Sequence, residues 1–232
     1  MELFWQLMLA HFLADFSLQS AALVYLKKEN LWGILLHTSI FTFTSCAISW
    51  KILGIEWVVC GVPIYGWIFV GILSIFHFFV DWLKVVITNK HPKLDNLLLF
   101  VVDQFLHVVL IFGLFNYKDF FNFYEYKVWI LLLIFIGLSH FLTIVIFYIE
   151  KDLKREKHLD REKKYILIAD RLVVGLAFLI TGTWWIVFIA GWMLNTFLMR
   201  LKHKVEYSYF ELIVGYLAAI LLGFCARIVY FN

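Results

Sequence analysis

The chain is a succession of apolar segments that are long enough to cross a lipid bilayer. A membrane-spanning helix needs about 20 mostly apolar residues. Hydrophobic residues make up 63% of this sequence and charged residues 16%, whereas soluble domains have roughly half and a quarter. We therefore expect an all-α, polytopic transmembrane helix bundle rather than a soluble enzyme. Its apolar segments lie at about 3–24, 31–50, 57–82, 97–115, 128–149, 165–199 and 207–228.

The 165–199 run is too long for one span, and Thr181-Gly182-Thr183 interrupts it. One long tilted helix gives seven spans, whereas a short helical hairpin gives eight. The hairpin leaves fifteen Lys and Arg on one side of the membrane and four on the other, against thirteen and six for the single helix. The positive-inside rule favours the hairpin, although each arm is short for a full crossing. Both alternatives place the N-terminus outside.

The polar segments indicate one transmembrane domain, 1–232, made of two halves. The half at 1–115 carries the motifs described below, and the second half is 128–232. The aromatic segment 116–127 is expected to lie at the membrane interface, where Tyr and Phe are favoured. The charged segment 150–164 is expected to be a solvated helix extension. The cysteines have no CxxC spacing, which excludes a thiolate zinc site and a disulfide framework.

Many ionisable side chains lie within the predicted spans. Such residues are costly in a bilayer and by default mark function. Counted from the Lys/Arg-rich end of each span at about 1.5 Å per residue, most of them fall in one layer of the cytoplasmic half. Unrelated structural accidents would scatter through the bilayer, so this clustering is the main functional signal. The polar residues concerned are His11, Asp15, Gln19, His37, His77, Asp81, Asp103, Gln104, His107, His140 and Asp170.

Three spans each carry one His and one Asp four residues apart, so that each pair projects from one helix face. The pairs are His11 and Asp15, His77 and Asp81, and Asp103 and His107. Imidazole and carboxylate ligands suit divalent transition metals. We predict a site for one or two divalent ions, Zn or Mn above others. The predicted metal ligands are His11, Asp15, His37, His77, Asp81, Asp103 and His107.

Further roles follow for the residues of this layer. Asp81 and His77 are the predicted catalytic residues, with Asp81 taking a proton from water. Lys84 and Arg171 are predicted to hold an anionic group of the substrate. Gln19 and Gln104 complete this substrate-binding set by orienting the ligands.

Three classes of function remain open at this stage. A metal-dependent hydrolase would act on a lipid-linked or phosphate-containing substrate. A proton or metal-ion transporter would use the layer as a relay, although the opposite halves of the spans read as almost wholly apolar. A non-catalytic structural or sensing protein would bury the layer as a hydrogen-bonded network. Membrane lipid is the expected partner, nucleic acid is not, and the oligomeric state stays open.

The motifs resemble those of a known family. His11-Phe12-Leu13-Ala14-Asp15-Phe16 with Leu18-Gln19, then His77 to Lys84, then Asp103 to His107, resemble bacterial membrane proteins grouped as domain of unknown function 3307. The resemblance covers the chain to about residue 115. It implies a bacterial inner-membrane location and no activity, and the family's two short helices before a final span favour the hairpin. The HxxxD pattern is also similar to that of predicted membrane-bound metal-dependent hydrolases, which favours the hydrolase.

Overall fold

The computed structural model describes residues 2–59, 61–112, 126–153, 161–201 and 209–231. Within these residues the chain is helical apart from short connections and one two-stranded β-hairpin. Its contacts divide it into two compact units, unit 1 (Met1–Trp129) and unit 2 (Ile130–Asn232). The expected all-α class is confirmed.

The described residues of unit 1 up to 112 form five α-helices and the hairpin. The first helix continues into a π-helical turn at Leu13–Ser17, and a short 3₁₀ turn at Pro92–Leu94 precedes the last. The elements are α1 (Glu2–Phe12), α2 (Ala21–Glu29), α3 (Leu31–Ser49), β1 (Glu56–Val59), β2 (Val62–Tyr65), α4 (Gly66–Lys90) and α5 (Leu97–Phe112).

The first predicted span, 3–24, is wrong as a single helix. The chain bends by 89° between the helical stretch Glu2–Ser17 and α2. Ser20 is extended at the start of α2 and its hydroxyl accepts a hydrogen bond from the backbone N–H of Leu23. Serine is a preferred residue at this position because it satisfies an N–H that the first helical turn leaves unbonded. A new helix therefore begins where the apolar pattern alone suggested continuation.

The third predicted span, 57–82, is also displaced. Residues from Glu56 to Tyr65 pair as antiparallel strands, and the helix runs instead from Gly66 to Lys90. Gly61 in the connecting turn has φ +83°, which glycine adopts at little cost. Valine and aromatic residues, which favour strands, dominate this stretch. An apolar run of this composition fits a strand as well as a helix.

Unit 2 contains the remaining helices. A π-helical turn at Gly137–Phe141 joins two of them into one long helix, Lys127–Asp152, which begins just before the unit boundary. The elements are α6 (Lys127–Ile136), α7 (Leu142–Asp152), α8 (Arg161–Ala177), α9 (Trp184–Leu201) and α10 (Tyr209–Phe231).

The 165–199 run is a helical hairpin, and the single-helix alternative is wrong. Helices α8 and α9 are separated by a turn in which Gly182 has φ +66°. Trp192 and Thr196 on α9 donate hydrogen bonds to the carboxylate of Asp170 on α8, so the second helix folds back along the first. The guanidinium of Arg227 donates to backbone carbonyls of the turn, including those of Phe178 and Ile180 at 2.7 Å each.

Among the described residues, five helices are long and apolar enough to cross a membrane, or six if α1 and α2 form one broken span. The seven to eight spans expected from the sequence stay a prediction. Helix α5 is apolar but has only 16 residues. Most of the expected interfacial segment 116–127 and residues 154–160 of the charged segment lie outside the described residues. Glu150, expected in solvent, is buried.

Candidate metal centre

All seven predicted metal ligands lie in unit 1, and all are buried, with relative exposures between 0% and 6%. Four elements carry them: α1 with its π-helical turn, α3, α4 and α5. The structure therefore brings together the seven predicted ligands, whereas His140 and Asp170, which the sequence also assigned to the layer, lie in unit 2. The seven ligands are His11, Asp15, His37, His77, Asp81, Asp103 and His107.

Four of these side chains converge most closely, and we call them the primary set: Asp15, His37, His77 and Asp81. The Nε2 atoms of His37 and His77 lie 3.1 Å apart. Asp15 Oδ1 lies 3.2 Å and 3.5 Å from these two atoms, and Asp81 Oδ2 lies 3.3 Å and 3.5 Å from them. Ligand atoms bound tetrahedrally at about 2.1 Å from a zinc ion are about 3.4 Å from one another. The distance between the two imidazole nitrogens, and the distances from each carboxylate oxygen to both of them, are close to this spacing.

Local backbone and ring contacts place the primary set. Asp15 lies within the π-helical turn, a widened helical turn that is frequent at functional sites. His77 and Asp81 are four residues apart on α4, as the sequence predicted, so both face the same neighbours. The ring of Phe41 stacks on His77 at a centroid distance of 4.4 Å and an interplanar angle of 3°. This stacking restricts the orientation of the imidazole.

His107 is held with one ring nitrogen available as a ligand. Its Nδ1 lies 2.8 Å from the backbone carbonyl of Asp103, to which it donates. Its Nε2 therefore carries a lone pair, and in the described residues this buried atom has no hydrogen-bond partner. A backbone carbonyl commonly fixes a metal-binding histidine in this way. Potential ligand atoms of His107 lie within 4.8 Å of those of His11 and Asp15, and also of those of His77 and Asp81.

Gln104 connects the two parts of the cluster. Its amide nitrogen donates to Asp103 Oδ2 at 3.0 Å and to Asp15 Oδ2 at 3.3 Å. Its Oε1 lies 3.2 Å from His11 Nε2, which donates to it. His11 Nδ1 then carries the lone pair, 3.6 Å from Asp15 Oδ1. Gln104 thus orients one imidazole and two carboxylates.

Two lysine side chains enter the cluster. Lys84 Nζ donates to Asp103 Oδ2 at 2.7 Å. Lys27 Nζ donates to Asp81 Oδ2 at 2.9 Å and to Gln19 Oε1 at 3.2 Å. Both ammonium groups are thus paired with carboxylates of the predicted ligand set. The predicted contact of Lys84 with a substrate anion stays a prediction.

The clustered residues all lie in the motif-bearing first half of the chain. A family model described as Protein of unknown function (DUF3307) matches residues 3–132. The chain belongs to this family. No curated protein and no solved structure matches it. The DUF3307 match covers nearly all of unit 1, the unit that contains the His/Asp cluster.

Arg171 and Asp170 lie in unit 2, beyond the DUF3307 match. Arg171 donates to Thr143 Oγ1 at 2.6 Å and to the carbonyl of Leu167 at 3.1 Å. The contact with Thr143 ties α8 to α7, whereas Leu167 lies on the same helix as Arg171. The predicted role of Arg171 in substrate binding stays a prediction. His140, also in unit 2, contacts the hydroxyl of Ser139.

Lys27 is the functional residue that sequence reasoning missed. Its position after the first apolar segment is typical of a basic residue in a loop, whereas its side chain is 11% exposed and contacts Asp81. The polar pair Gln19-Ser20 could have indicated a helix break, because serine favours a helix start. A break at this point lets α2 fold back toward the cluster. Gly33 then allows α3 to begin against α2, since a Cβ there would lie 2.5 Å from the backbone nitrogen of Lys27.

Proposed function

We propose that this DUF3307 protein binds a divalent transition metal through the primary set and uses it as a membrane-embedded hydrolase. The observation that carries the proposal is that the imidazole nitrogens of His37 and His77, 3.1 Å apart, each lie 3.2–3.5 Å from the same two carboxylate oxygens. Two imidazoles and two carboxylates suit Zn or Mn. The second group, His11, Asp103 and His107, supports a second ion or the orientation of the first.

The charge of the cluster supports a bound cation. Three buried aspartates and the two lysines that pair with them leave one net negative charge when the imidazoles are neutral. An uncompensated buried charge is costly, and more so in a membrane. A divalent ion replaces that negative charge with a positive one, which favours an anionic substrate.

Hydrogen bonds alone satisfy the primary set poorly. The Nε2 atoms of His37 and His77 face each other, and both also face two carboxylate oxygens. A neutral imidazole carries a hydrogen on only one of its nitrogens, so it donates from Nε2 at most once. A metal ion accepts the lone pairs of all four atoms together.

The chemistry of the site fits phosphoryl or acyl hydrolysis. A bound divalent ion lowers the pKa of a coordinated water and polarises a phosphoryl or acyl oxygen. Asp81 is placed to accept the proton, and Lys27 and Lys84 bring positive charge to the anion. The Lys/Arg-rich end of the spans faces the cytoplasm in this proposal, and the substrate is lipid-linked or amphiphilic with a phosphate group.

Transport of protons or metal ions is the second candidate. It is favoured by polar side chains that continue along the buried face of α3 beyond His37, among them Ser45 and Ser49. Both candidate functions use the same His/Asp cluster. The metal content of the protein is therefore measured first.

Elemental analysis of the purified protein tests the metal site. We expect near-stoichiometric Zn or Mn in the wild type, lost in His77→Ala and reduced in Asp103→Ala. His91→Ala is the matched control, because His91 is exposed on the connection before α5, and it should keep its metal. Absence of metal in the wild type after incubation with Zn and Mn would overturn the proposal.

Activity is then tested with metal-loaded protein in mixed micelles that contain a lipid phosphate. Phosphate release that needs the bound metal supports the hydrolase. Metal binding without hydrolysis of lipid monophosphates, lipid diphosphates or lipid esters would overturn the hydrolase and leave transport. Metal uptake into proteoliposomes then tests that candidate.

A further inference from the structure

The buried face of α3 remains polar beyond the metal centre, contrary to the apolar character expected there. Thr38, Ser45 and Ser49 have relative exposures of 9%, 0% and 1%. Their spacing of seven and four residues puts them on one face of the helix, since both steps bring the helix back to nearly the same side. They extend about 16 Å from Thr38 to Ser49, toward the end of unit 1 that carries the β-hairpin.

The hydroxyl groups of these three residues have no hydrogen-bond partner in the described part of the chain. Neighbouring hydroxyls in the same bundle behave differently. Thr44 donates to the carbonyl of Ile40 at 2.8 Å, and Thr42 donates to Ser74 Oγ at 2.7 Å. A buried polar group without a partner costs on the order of 1–3 kcal/mol. A row of three such groups on one face therefore indicates a polar ligand.

Helix α1 places one more buried polar side chain, Gln6, at the level of this row. Asp15 reaches His37, and the ring of His11 contacts that of Phe41, so the two helices run antiparallel in a fixed register. Counting back along α1 from these two contacts places Gln6 level with the Ser45–Ser49 stretch of α3. Gln6 is buried, and its Oε1 has no hydrogen-bond partner within the described residues.

A small cavity lies among the imidazoles of the metal centre, and Phe41 is the residue of α3 that lines it. It has a volume of about 10 Å³, and its lining includes Phe41, Leu73 and His77. This volume is close to the minimum that one water molecule requires. Thr38, Ser45 and Ser49 do not line this cavity, but Phe41 lies three residues beyond Thr38 on α3, so the cavity marks the metal-centre end of the proposed path.

We propose that a file of water molecules runs along this face and connects the metal centre with the hairpin end of unit 1. Water is the ligand that fits, because the partners are small hydroxyls and an amide oxygen rather than charged groups. A buried water typically makes about three hydrogen bonds, which the hydroxyls, neighbouring waters and the amide supply. The file carries water or protons between the cluster and that side of the membrane.

Hydrogen–deuterium exchange at introduced thiols tests the file. The native cysteines are replaced by alanine, and single cysteines are placed at Ser45, Ser49 or Phe43 in proteoliposomes. Phe43 is the control, because it lies on the same helix but is 74% exposed on the outer surface of the protein. Conversion of S–H to S–D after mixing with D₂O is followed by infrared spectroscopy.

We expect the Ser45→Cys thiol to exchange at least tenfold faster than the Phe43→Cys thiol. Ser45→Val should slow exchange at a Thr38→Cys probe, whereas Ser39→Val, at an exposed position of α3, should not. Equal rates at positions 43 and 45, or no effect of Ser45→Val, would overturn the file and indicate dry packing. The readout needs no bound metal, so its failure is distinct from failure of the metal proposal.

Discussion

The Nε2 atoms of His37 and His77 lie 3.1 Å apart, although the two residues are 40 positions apart in the sequence. Neither nitrogen bonds its own helix backbone. Both face the carboxylates of Asp15 and Asp81. Two adjoining helices, α3 and α4, thus present ring nitrogens to a common point, which is the arrangement that a metal ion requires.

Substitutions should weaken Zn affinity most at the residues whose ligand atoms lie nearest to that point. Asp15→Asn removes a carboxylate charge and His37→Gln removes an imidazole nitrogen of the primary set, and we expect each to weaken Zn affinity by more than about 100-fold. Gln104→Leu removes a group that orients ligands, and such changes cost about 10–100-fold. Competition titration with a chromophoric chelator measures the affinities. Gln6→Leu, a buried glutamine on α1 away from the cluster, should leave affinity unchanged, and a loss there equal to that of Gln104→Leu would contradict the ranking.

Two adjacent lysines should differ sharply in their effect on stability. Lys27 pairs with the buried Asp81, whereas Lys28 pairs at 3.0 Å with Asp95 and is 46% exposed. Removing one partner of a buried pair costs about 3 kcal/mol, because it leaves the other charge unpaired. An exposed pair contributes less than about 1 kcal/mol. Unfolding of Lys27→Met and Lys28→Met in mixed micelles compares the two.

The loss of unfolding free energy in Lys27→Met should become smaller when Zn is added, because the ion then compensates the charge of Asp81. Equal destabilisation by the two lysine substitutions would show that the contact between Lys27 and Asp81 contributes nothing particular.

Gly33 should be required for the position of Lys27. A Cβ at Gly33 would lie 2.3 Å from the backbone carbonyl carbon of Leu26, so Gly33→Ala must move the end of α2. Overpacking of this kind costs about 1–3 kcal/mol, and we expect lowered Zn affinity as well. Gly71→Ala is the control, because a Cβ there meets nothing within 4 Å. Unchanged stability and affinity in Gly33→Ala would contradict the close approach.

Membrane orientation can be read from single cysteines on opposite ends of unit 1. Lys93 and Glu56 are exposed, the first on the connection between α4 and α5 and the second on β1. The positive-inside rule places Lys93 in the cytoplasm and Glu56 outside. With the native cysteines removed, an impermeant maleimide added to intact cells should label Glu56→Cys and spare Lys93→Cys. The reverse pattern would place the metal centre nearer the outer face.

Several features followed from the sequence alone. The length and apolarity of the segments determined an all-α protein with membrane-spanning helices, because only helices satisfy the backbone within one apolar segment. The four-residue spacing of His77 and Asp81 determined that both share a helix face. The shared depth of the polar residues predicted that they would meet, and the structure brings all seven predicted ligands together.

Only the tertiary structure decided which atoms converge and how the segments end. Spacing fixes a face of one helix but not the neighbour against which that face packs. The sequence therefore could not show that Asp15 and His37, rather than His11 and Asp103, lie closest to His77 and Asp81. The break before Ser20 and the strands around Gly61 depend on turn geometry that hydropathy averages out. Lys27 joins Asp81 because α2 folds back after that break, and a contact across such a turn exists only once the helices have packed.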